Sequence, residues 1–63
     1  MFKKYEALSE AYETMNRLAN ESICKMLEAE TAEEVIIHEA RHEAFREAAK
    51  AIHEQIIKEL RRL

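Results

Sequence analysis

Ala29-Glu30-Thr31-Ala32-Glu33-Glu34, near the middle of a 63-residue chain, decides how the rest folds. The stretch reads as a capping box: Thr31 caps a helix that starts at Ala32, and Glu34 is placed to reach back to the cap's own N–H. Glu33 and Glu34 also stand where the positive end of the new helix dipole favours acids. One helix therefore stops here and a second begins. The break is made without Gly or Pro, because the chain has neither.

On both sides of the break the composition is helical. All thirteen acids are Glu, and Glu, Ala, Leu, Ile, Lys and Arg dominate; all but Ile are strong helix formers. The lack of Gly and Pro excludes hairpin-rich β folds and Gly-rich phosphate loops. A single continuous helix is excluded by hydrophobic phase. Leu8, Ala11, Tyr12, Met15, Leu18, Ala19, Ser22, Ile23 and Met26 form one stripe; Val35, His38, His42, Phe45, Ala49, Ile52, Ile56, Leu60 and Leu63 form another. At 100° per residue the two centres lie roughly 135° apart, so one straight rod could not offer both to one partner. The expected fold is all-α, a single domain over 1–63: helix 1 about 3–28, a turn about 29–31 and helix 2 about 32–62, paired antiparallel. Glu13/Arg17, Glu21/Lys25 and Glu54/Lys58 are i,i+4 pairs in the favourable order, expected on the solvated surface.

A chain this short needs help to stay folded, usually disulfides, metal or association. One cysteine, Cys24, makes no internal disulfide, and a lone thiol points to a reducing, cytoplasmic setting. Self-association is the expected remedy. Helix 2 supports it with a second stripe, Ile37, Ala40, Ala44, Ala48 and Ala51, small enough for close approach by another helix. Its apolar arc spans roughly 200°, more than one neighbour can cover. Two hairpins related by a two-fold axis would close a four-helix bundle. The chain termini collect Lys3, Lys4, Lys58, Arg61 and Arg62, while the turn collects Glu28, Glu30, Glu33 and Glu34. An antiparallel homodimer sets unlike ends together and is the preferred arrangement, although salt weakens such effects. No apolar run approaches the length of a membrane span.

His38-Glu39-Ala40-Arg41-His42 spells H-E-x-x-H, which on a helix puts two imidazoles on one face, half of a zinc site. A catalytic zinc needs a third protein ligand and a cleft, and neither is evident. The same letters hold Glu39-Ala40-Arg41-His42, an E-x-x-H. With the residues up to Phe45, it resembles the second-helix motif of ferritin-like and rubrerythrin-like di-iron bundles. The resemblance covers about seven residues. It implies a carboxylate-bridged centre with Glu39 and His42 from each helix 2 and one Glu from each helix 1. Glu21 lies at the matching depth, but about 130° from the centre of helix 1's stripe. The competing reading makes His38 and His42 core imidazoles, hydrogen-bonded to a side chain or to backbone, with a role in fixing register across a dimer axis.

Cys24 points away from the stripe of helix 1. Arg41 falls inside the apolar arc of helix 2, where its stem can lie along apolar surface with its head in water. Tyr5, Tyr12, Phe2 and Phe45 fall at packing positions. The expected interface and core are Leu8, Tyr12, Met15, Leu18, Met26, His38, His42, Phe45, Ile52, Ile56 and Leu60. The expected function is non-enzymatic: a homo-oligomeric protein–protein interaction or regulatory module, with itself as first partner, another protein as a second, and no cofactor. A second reading is a di-iron or zinc bundle using His38, Glu39 and His42. A third is RNA or DNA binding through Lys3, Lys4, Lys58, Arg61 and Arg62, which lacks any recognised nucleic-acid pattern and runs against the net charge of −3.

Overall fold

The structure, a computed structural model, describes residues 3–62. Met1, Phe2 and Leu63 lie outside them, and with them the packing expected of Phe2 and the last position of helix 2's stripe. Two helices, α1 (Lys3–Glu28) and α2 (Ala32–Arg61), pack against each other as an all-helical hairpin about 49 Å long. Neither helix is long and apolar enough to cross a membrane.

Thr31 sits in an extended conformation, and its hydroxyl accepts the Glu34 N–H at 3.2 Å. The return half of the capping box differs from the expected one. The Glu34 carboxylate accepts the N–H of Glu30 at 3.3 Å rather than that of Thr31. The bond therefore ties the residue before the cap into the start of α2. The Ala29 N–H closes onto the carbonyl of Met26 at 3.2 Å, ending α1. No described residue has a positive φ, so the reversal needs no glycine.

The seam between the helices alternates steps of three and four residues. On α1 it runs Leu8, Tyr12, Met15, Ala19, Ser22 and Met26, continuing to Ala29 just past the helix end; on α2 it runs Val35, His38, His42, Phe45, Ala49, Ile52, Ile56 and Glu59. All of these are buried or half-buried. A seam of this spacing has a period of 3.5 residues, that of helices packed side by side over many turns. At the end of α2 the seam parts from the expected stripe. A period of 3.6 carries the stripe from Ile56 to Leu60, whereas the seam steps to Glu59 and leaves Leu60 48 % exposed.

The residues removed furthest from water are small: Ala19, Ser22 and Ala49. They lie on the line of closest approach, where a missing side chain lets the two backbones come near. The larger residues expected in the core, Leu8, Tyr12, Met15, Leu18, Met26, Phe45, Ile52 and Ile56, are half-buried beside that line. Two helices form no third wall to enclose them. Tyr5, three residues before the seam begins at Leu8, is 37 % exposed.

Ion pairing also departs from the i,i+4 pattern. Among the described residues, the ion pairs converge on Glu59, from Lys4 at 3.0 Å and from Arg62 at 3.7 Å. The Lys4 pair joins the start of α1 to the end of α2 and closes the open end of the hairpin.

Candidate interaction surfaces

A two-helix layer has two broad flanks, and the grooves along the seam identify them. Leu18, Ser22 and Lys25 share one groove with His38, Arg41 and Phe45. Tyr12 and Asn16 share the other with Arg46, Ala49, Lys50 and His53. These define a Leu18 flank and an Asn16 flank, and the seven-residue repeat assigns the remaining positions.

The middle of the Leu18 flank presents Ala11, Thr14 and Leu18 from α1 and Ala44, Ala48, Ala51 and Gln55 from α2. No charged side chain falls among them by the repeat. Ala11, Thr14, Leu18 and Ala48 are half-buried, and Ala44 and Ala51 are exposed. Most of the second stripe of α2 thus faces away from α1, with Ile37 51 % exposed near the turn. Lys25 and Arg41 bound this flank on the turn side, Lys4 and Lys58 on the side of the termini.

The Asn16 flank is polar at its centre. The rings of Tyr12 and His53 meet across the helices with centroids 5.6 Å apart and planes tilted by 34°. Arg46 and Lys50 surround them. Toward the turn the flank changes character. Leu27 of α1 and Ile36 of α2 stand at the same depth, 78 % and 65 % exposed. Neither belongs to a stripe, so the sequence patterns passed over them; the available signal was a large aliphatic residue off phase on each side of a helix break.

His42 crosses the seam. Its Nδ1 lies 3.1 Å from the main-chain oxygen of Ala19, and a carbonyl only accepts, so Nδ1 carries the proton and donates. The bond is made within one chain, on backbone. His38, one turn earlier, has a buried Nδ1 with no hydrogen-bond partner, unlike the satisfied imidazole expected there. Ser22 donates to the Leu18 carbonyl at 2.9 Å, so its hydroxyl serves its own helix.

Glu39 is exposed and by the repeat falls on the Asn16 flank, while Glu21 is exposed and lines the groove of the Leu18 flank. The seam therefore separates the two carboxylates that a di-iron reading would join. Among the described residues, no three His, Cys or Glu side chains gather into a group that could hold a metal ion. Lys3, Lys4, Lys58, Arg61 and Arg62 are all exposed at the termini, with Lys4 and Arg62 engaged by Glu59. Cys24 is a free, exposed thiol on the outer side of α1. Compared with protein-family models, with curated proteins and with solved structures, the chain matches none.

Proposed function

We propose that the hairpin is a non-enzymatic interaction module that first associates with itself, two copies meeting through their Leu18 flanks in an antiparallel four-helix bundle. One observation carries this reading: among the described residues, the apolar ones buried within a single hairpin are Ala19 and Ala49, and no large side chain is fully enclosed. Hydrophobic burial is the main favourable term in folding, and a chain of this length has little of it to spare. The Leu18 flank offers what is missing. Its central alanines permit close helix approach, and a second copy would supply the wall whose absence leaves Phe45, Leu18 and Ile52 half-covered in one hairpin.

Charge favours the antiparallel arrangement. It sets the acidic turn, with Glu28, Glu30, Glu33 and Glu34, beside the basic termini of the other copy, where a parallel pair would crowd like charges. The module acts through what it binds. The lone thiol of Cys24 fits a reducing compartment such as the cytoplasm.

Sedimentation equilibrium on the full chain and on Ala48→Glu tests the reading. The expected result is a dimer for the parent and a helical, mostly monomeric chain for the variant, since a charge would be buried unpaired at the contact. A parent chain that sediments as a folded monomer at micromolar concentration overturns it.

A further inference from the structure

The turn end of the Asn16 flank has a chemistry of its own. Leu27 and Ile36 are both exposed there, and the repeat places half-buried Ile23 on the same flank. The charged side chains that the repeat places on this flank between the turn and Arg46, Glu30, Glu39 and Glu43, are all acidic and all exposed. Lys25 and Arg41 line the opposite flank, and Arg46 lies about 15 Å further along α2 than Ile36. An apolar pair ringed by one sign of charge selects a ligand that is apolar on one side and opposite in charge around it.

From this juxtaposition we propose that the turn end docks a cationic amphipathic helix of another protein, its aliphatic residues on Leu27 and Ile36 and its Lys or Arg side chains on the glutamate rim. Helix-in-groove recognition uses such anchors at successive turns. The surface rests on the reading of the hairpin as a binding module, but it uses the flank that copy-to-copy contact leaves free. A second copy is the poorer occupant. Its net charge is −3.

The test titrates the full chain with two synthetic amphipathic helices that share a leucine face and differ in the other, one bearing Lys and one Glu. Calorimetry should show binding of the Lys helix alone, weakening as salt rises. Leu27→Ser with Ile36→Ser should weaken it about tenfold or more. Both residues are exposed, so the helical circular dichroism should persist; Glu39→Gln with Glu43→Gln provides a second variant with no apolar change. The proposal is overturned if both helices bind alike, or if neither binds. It is also overturned if the serine variant binds as the parent does. A serine variant whose own sedimentation mass falls would instead make the patch a copy-to-copy contact. The parent's mass, read separately, decides the self-association reading.

Discussion

The Nδ1 of His42 on α2 donates to the main-chain oxygen of Ala19 on α1 across 3.1 Å, joining positions 23 residues apart in the chain. The contact forms because Ala19 has no side chain long enough to hold α2 away, and it is nearly free of solvent at 2 % exposure. Side-chain bonds to helix backbone fix the axial register of two helices more sharply than apolar contact does, since they fail when one helix slides.

His42→Ala should therefore destabilise the hairpin by about 1–3 kcal/mol, combining a lost hydrogen bond with lost packing. Urea unfolding followed by circular dichroism measures it. A midpoint shift no larger than that of a surface substitution such as Glu47→Ala would show that the bond contributes little.

Ala49→Leu should destabilise as well, by about 1–3 kcal/mol, because it forces volume into the line of closest approach. This prediction separates a close-packed seam from one held by its large side chains. A thermal midpoint raised by the added leucine would mean that the seam has room to spare.

Thr31→Ala should cost about 1 kcal/mol through the loss of the cap, and Thr31→Ser should restore most of it. Thermal unfolding of the three proteins gives the comparison. Equal midpoints for Ala and Ser would place the helix break in packing rather than in the hydroxyl.

Leu60→Gln should change stability by less than about 0.5 kcal/mol, the range for an exposed position. Glu59→Gln, next to it, should shift the urea midpoint more, because Glu59 lies on the seam with its side chain 21 % exposed and paired to Lys4. The reverse order would return the seam to a period of 3.6.

This neighbouring pair shows what could be read from the sequence alone. The helix break at Thr31, the two stripes and the exposure of Cys24 follow from local chemistry and periodicity, and each is visible in the letters. The drift of the seam from Leu60 to Glu59 is not, since it accumulates from the small difference between 3.6 and 3.5 residues per turn. Nor is the exchange of roles between large and small residues. Hydrophobicity ranks Phe45 above Ala49 as a core residue, whereas geometry between two helices buries Ala49 and leaves Phe45 partly open. At the candidate site, the spacing of His38 and His42 announced a shared face. That one imidazole spends a nitrogen on a backbone carbonyl depends on a helix 23 residues away in the chain.

The turn itself holds a further consequence. No residue between Met26 and Glu34 is barred from helical geometry, and no described residue adopts a left-handed conformation. What bends the chain is a short set of cap hydrogen bonds, on the order of a few kcal/mol in total. Straightened, the molecule would be one rod whose two stripes face about 135° apart, so no single neighbour could cover both. The cap bonds of Thr31 and Glu34 thus mark where the chain reverses, while the mismatch of the two stripes removes the straight chain as an alternative.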